Sequence, residues 1–185
     1  MVADPSSEIV VLAVKVHFVE DSSGYYTSTR TDAHVSRIFD RANDIWSRAA
    51  INFRVDETVQ TKLSAQVIFE VLSKRNRPNQ DCRYYLGLCE HENFNKHLTN
   101  VFLALLPDGP NGFALPVVSS AFVSDDTGRV NDFRTTAHEL GHLLELVHVG
   151  AQDRLMARGW NGEVLSESEI LIARENARIR ASKEF

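Results

Sequence analysis

Cysteine is nearly absent from this chain, with Cys82 and Cys89 the only two. That excludes a disulfide-dense secreted scaffold. The pair sits among Asn, Asp and Arg, as in an exposed loop; a short-loop disulfide is open to it outside the cell, and two thiols are equally allowed inside. Basic runs are also missing. With a net charge of −5 and no cluster of Lys or Arg, the chain is not expected to bind nucleic acid or an anionic membrane. Long apolar runs are missing too: the longest, Ile9 to Val16, includes Lys15 and is far too short to span a bilayer, so no membrane insertion is expected. Met1-Val2-Ala3-Asp4-Pro5 shows no charged segment followed by an apolar one, as an export signal would. No internal repeat or low-complexity segment is visible.

What is present is an ordinary globular composition, 43% apolar and 24% charged over 185 residues, which fits one domain, with or without two lobes around a cleft. Residues 9–19 read as a strand covered on both faces. From Asp32, a suitable N-cap, Val35, Ile38, Phe39, Ala42, Ile45, Trp46 and Ala49 recur at helical spacing. Residues 51–55 alternate as a second strand. Residues 63–75 fit either a helical face or a strand, and the Ser-Ala-Gln sequence leans toward the strand. Residues 75–98 form a long polar excursion with a short helix. Residues 101–106 read as a buried strand, and residues 113–123 hold two extended pieces broken at Pro116. Asp132 can cap a helix with a body near 133–144, and Ser166-Glu167-Ser168-Glu169 has the form of a capping box opening a last helix on Ile170, Ala173 and Ala177.

The helix near 133–144 carries the chemistry. His138 and His142 are four residues apart, so both imidazoles leave the same helical face one turn apart. Glu139 lies beside them, in reach of a water held there. His148 follows six residues after His142 and completes a three-histidine site if the chain turns back. Three protein ligands leave one tetrahedral position open, as in catalytic rather than structural zinc. Leu140, Leu143, Leu144 and Val147 would equally give an ordinary amphipathic helix its buried side, but the third histidine and the nearby Leu155-Met156-Ala157 favour the metal.

His138, Glu139, His142 and His148 resemble the metzincin signature HExxHxxGxxH at every metal-contacting position. Met156 looks like the methionine of the turn beneath the metal in that clan. The order of elements is similar over nearly the whole chain, while residue-level likeness is confined to 138–156. The resemblance implies an α+β, zincin-type catalytic domain over residues 1–185. A twisted, mainly parallel sheet with long helices would form an upper lobe to about residue 148, and a small lower lobe from 149 would end in a helix. It also implies one catalytic Zn2+, Glu139 as general base, a peptide or protein substrate, and export as a mature form. A substrate strand would pair with the edge strand Gly112-Phe113-Ala114-Leu115, although these residues serve equally as a plain edge strand. Arg158 and Trp160 would shape the pocket beyond the cut. Arg158 stands where some metzincins place a tyrosine that touches zinc.

Glu145 departs from the pattern, standing where the signature has its turn glycine. Either the backbone takes positive φ there with a side chain in place, or the helix continues and Glu145 joins the histidine face as a ligand, a hydrogen-bond acceptor or a lid. The second outcome would favour a degenerate, non-catalytic zinc-binding module of the same fold. A zinc peptidase completed by Glu163 or Glu167 is the third possibility. Elsewhere, His17 and His34 are expected to be structural or surface residues. Cys89-Glu90-His91-Glu92 with His97 is expected to be a solvated loop rather than a second ion site.

Overall fold

The computed structural model describes residues 8–75, 82–107, 109–128 and 130–182. Strand β1 (Val10–Glu20) is buried over nearly its whole length. Its Val, Leu and Phe side chains alternate between two faces that are both covered. Helix α1 (Asp32–Trp46) follows, with Thr31 rather than Asp32 in the capping position. The Thr31 amide donates to His34 Nδ1 at 3.1 Å, so His34 supports the start of the helix.

Strand β2 (Ile51–Lys62) pairs parallel with β1 and runs well past residue 55, where the apolar alternation ends. The register shifts between Val14 and Lys15, leaving Asp56 as the extra residue of a bulge. Beyond it the strand is a polar sheet edge, anchored in part by the Lys15–Glu57 ion pair at 3.0 Å.

Residues 65–74 form helix α2 (Ala65–Lys74), correcting the lean toward a strand. Ser64 does not interrupt the helix but caps it, its side chain accepting from the Val67 amide. Ile68 and Val71 face inward, while Phe69, which a strand would have buried, is 60% exposed. A short helix α3 (Leu86–Cys89) precedes strand β3 (Thr99–Ala104), strand β4 (Gly112–Leu115) and strand β5 (Ser120–Ser124). Helix α4 (Asp132–Leu143) and helix α5 (Glu167–Ala181) complete the chain, with the Ser166–Glu169 capping box formed.

The sheet order is β2-β1-β3-β5-β4, with every pairing parallel except that of β4 with β5. One face packs on α1, α4 and α5 through Leu12, Val14, Val16, Trp46, Leu140 and Ala173. The other packs on α2 and α3 through Phe102, Phe122, Ile68 and Leu88. This mainly parallel α/β architecture with a closing helix is the expected fold class. It leaves β4 as an open edge beside α4. No helix among the described residues is long and apolar enough to cross a membrane.

Candidate metal centre

Helix α4 is buried almost all round, from Arg134 to Gly141 and at Leu143, so its polar side chains must find partners inside the protein. Asn131, not Asp132, occupies the capping position. Asp132 is the first helical residue, and its carboxylate accepts from the Phe133 amide at 2.7 Å and Arg30 at 2.7 Å. Those contacts, Arg30 foremost among the charged ones, hold its pKa below the ordinary carboxylate value against the effect of burial.

At the other end the helix stops, and Glu145 adopts φ 65°. The Glu145 amide donates to His142 O at 3.1 Å and the Leu146 amide to Gly141 O at 3.0 Å, the paired bonds of a Schellman ending. A carboxylate-bearing side chain thus occupies the left-handed position usually given to glycine, at a cost of about 1 kcal/mol. The chain reverses there and brings His148 back over the helix.

The three Nε2 atoms converge: His138 to His142 is 3.1 Å, His142 to His148 is 3.1 Å and His138 to His148 is 3.2 Å. The outer nitrogens of two rings are held by carbonyls. His138 Nδ1–H donates to Leu155 O at 2.7 Å, and His142 Nδ1–H donates to Leu146 O at 2.8 Å. Carbonyls only accept, so the protons sit on Nδ1 and the bare Nε2 lone pairs face one another. Lone pairs so placed repel unless a cation lies among them. The spacing is just under the roughly 3.3 Å edge expected for tetrahedral zinc with nitrogens at 2.0–2.1 Å. Donor type, number and spacing therefore fit zinc. Burial, above all, lowers the pKa of His138 to about 3 and of His148 to about 4, and moves that of His142 the same way. All three are neutral at pH 7, as ligands must be.

Glu139 is 6% exposed, and burial lifts its pKa to about 8 despite the pull of Arg134. Strand β4 crosses α4 at this point. A Cβ on Gly112 would lie 2.8 Å from Thr135 Cγ2 and 3.0 Å from Glu139 Cγ, so only glycine permits the approach. Met156 is fully buried, its sulfur 2.7 Å from where a side chain on Gly141 would begin. The loop bearing Met156 thus packs directly against the histidine helix.

A cleft of about 700 Å³ runs over these groups, lined by Gly112, Phe113, Ala114, the three histidines, Glu139, Glu145, Arg158 and Gly159. Leu115 points into the core at 2% exposure. Trp160 is 49% exposed and is not among the lining residues. Arg158 Nη2 donates to His148 Nδ1 at 3.2 Å.

No family model matches the chain, and no curated protein matches it. Solved structures do match. Metalloproteinase-II from Bacteroides fragilis aligns with a TM-score of 0.58 at 12% identity, over 93% of this chain and 55% of its own. The fold is shared with a metalloproteinase. The chain spans about half of that protein's length. A zinc-dependent peptidase from Methanocorpusculum labreanum aligns with a TM-score of 0.49 at 14% identity, over 86% of this chain and 99% of that one. Archaemetzincin from Methanopyrus kandleri gives 0.47 at 17% identity, over 98% of each chain.

Three features of the site were not visible in the sequence. Arg134 is 3% exposed and donates to the carbonyls of Leu155, Ala157 and Gly162, tying the histidine helix to the loop beneath it. An arginine in an amphipathic pattern gives no sign of such burial. The carbonyls of Leu146 and Leu155 are backbone groups that any residue would supply. Among the described residues, His138, His142 and His148 form the one cluster suited to a metal, and Glu163 and Glu167 are not part of it. His91 instead spans from Lys62 O to the Asn93 amide. The side chain of Cys82 lies outside the described residues, and with it the question of a Cys82–Cys89 bridge.

Proposed function

We propose that the protein is a zinc-dependent endopeptidase of metzincin type. The observation that carries this reading is the convergence of three histidine Nε2 atoms beside Glu139, under an open strand edge. Zinc bound there supplies Lewis acidity, polarising a carbonyl and making water acidic enough to attack near neutral pH. The protein's own groups do the rest. Glu139 takes the proton of the attacking water and returns it to the leaving amine.

The substrate would lie along β4. Ser124 N–H donates to Asn111 O at 2.7 Å, fixing which residue pairs of β4 and β5 exchange hydrogen bonds. By alternation, the amides and carbonyls of Gly112 and Ala114 turn outward, to a peptide added as a further strand. When His148 ligates through Nε2, its remaining proton occupies Nδ1, where it cannot accept from Arg158. Arg158, which lines the cleft beside Gly159, would then be left to shape the pocket for residues beyond the cut. The turn at Glu145 removes the feature that favoured a non-catalytic module, because the side chain does not prevent His148 from returning.

The test is metal content together with cleavage of a mixed peptide library, with and without chelator. One zinc per chain, chelator-sensitive cleavage, and a Glu139→Ala protein that keeps zinc but loses turnover are expected. Undiminished cleavage by zinc-loaded Glu139→Ala would overturn the mechanism.

A further inference from the structure

A second hollow of about 450 Å³ adjoins the cleft, with Pro116 and Glu145 lining both. Its walls come from three separate segments: Lys96 and His97 ahead of β3, Val117 after β4, and Ile179 and Arg180 in the last turns of α5. Lys96 and His97 are exposed, and Arg180 is fixed at the rim by donating to Ser119 Oγ at 2.9 Å. Val117 and Ile179 are each 47% exposed. Among the described residues lining the hollow, Glu145 is the one carboxylate, and it stands at the junction with the cleft. In a chain of net charge −5, this is a local reversal of sign.

Its position matters as much as its charge. A strand added to the outward groups of Gly112 and Ala114 runs along β4, and β4 ends at Leu115. Pro116, the next residue, is where cleft and hollow meet. A peptide long enough to leave that end of β4 therefore passes Glu145 and enters the cationic hollow, whose two apolar side chains can cover its backbone.

We propose that the hollow is a binding site for an acidic stretch of the substrate. The segment passing Glu145 is neutral or basic, and the residues beyond it carry carboxylates that meet Lys96, His97 and Arg180. This rests on the peptidase reading for the identity of the occupant, so the test measures binding separately from cleavage. Fluorescent peptides would share one neutral, cleavable centre and carry Asp/Glu repeats at either end, or matched Asn/Gln repeats. Anisotropy on zinc-loaded Glu139→Ala protein gives affinities without turnover.

An acidic extension at one end should tighten binding up to about tenfold at low salt, as expected of two modest surface charge contacts, to Lys96 and Arg180. The advantage should fade as the Debye length shrinks in roughly 0.5 M salt. Lys96→Glu, at an exposed position, should reduce the advantage several-fold, and combining it with Arg180→Gln should abolish it. Should Arg180→Gln misfold, the Lys96→Glu comparison stands alone. No acidic advantage at either end, or one that survives these substitutions, overturns the proposal. Cleavage by the wild-type protein without that advantage leaves the peptidase reading intact. The advantage without any cleavage leaves the hollow as an acidic-peptide site and removes the peptidase reading.

Discussion

Histidine is used in two opposite ways in this molecule. His17, fully buried in β1, accepts at Nδ1 from Thr61 Oγ1 at 2.9 Å and donates from Nε2 to Asn100 Oδ1 at 3.0 Å. The Asn100 amide nitrogen is itself committed to the carbonyls of Asn95 and Leu98, which fixes its oxygen toward the ring. The ring also stacks on Phe102 at 4.2 Å. Both nitrogens of His17 are therefore satisfied by the protein. His138 and His142 carry the proton on the other nitrogen and turn unprotonated Nε2 toward each other and toward His148. Burial lowers the pKa of His17 to about 4 and of His138 to about 3, so a depressed pKa does not separate structural from metal-binding histidine. The direction of the bare lone pair does.

The largest test of that contrast removes one ring of each kind. His142→Ala should lose nearly all bound zinc and lower peptide hydrolysis by more than about a thousandfold. His17→Gln should keep one zinc per chain and lose only stability, by about 1–3 kcal/mol for the disturbed buried hydrogen bonds. Metal analysis and denaturant unfolding of both variants measure this. Stoichiometric zinc in His142→Ala would erase the distinction.

A smaller effect follows from pH. Burial gives His17 a folded pKa of about 4 against the ordinary histidine value of 6.5, so between these pH values the unfolded chain takes up a proton that the native protein refuses. Stability contributed by keeping His17 neutral is complete above pH 6.5 and declines as pH falls toward 4, by roughly 3 kcal/mol in all. Unfolding midpoints across this range should fall less steeply in His17→Gln than in the wild type. In chelated protein, His138 and His148 add to the decline with the same sign, because their folded pKa values are also depressed.

The smallest effect concerns the turn that completes the trio. Glu145→Gly relieves the left-handed strain but frees the unfolded chain, so the net gain should stay under about 1 kcal/mol with zinc affinity unchanged. Glu145→Val, with a branched Cβ at φ 65°, should lower both stability and zinc occupancy. Thermal unfolding with metal titration measures the pair. A Glu145→Val protein as stable as the wild type would mean that the turn does not fix His148.

Much of this was legible in the sequence because ligand spacing and apolar periodicity are local. His138, His142 and the order of strands and helices followed from them. Where local signals competed, the sequence misled: Val67, Phe69 and Val71 alternate like a strand, yet Ser64 caps a helix that leaves Phe69 in solvent. The polar half of β2 lacked any apolar signature because its partner, β1, supplies the pairing. Arg134 and the two orienting carbonyls stayed hidden because their roles arise only when distant backbone meets the helix.

Those carbonyls have one further consequence. Leu146 and Leu155 bracket a single surface segment, each end aiming one histidine and the middle contributing the third. Surface loops ordinarily drift in length among descendants of one ancestor. Here, one inserted or deleted residue between 146 and 155 would displace His148 and the Leu155 carbonyl that aims His138, misdirecting two of the three rings together. The segment should therefore behave as a unit of fixed length through divergence, while its side chains, apart from His148, remain free to change.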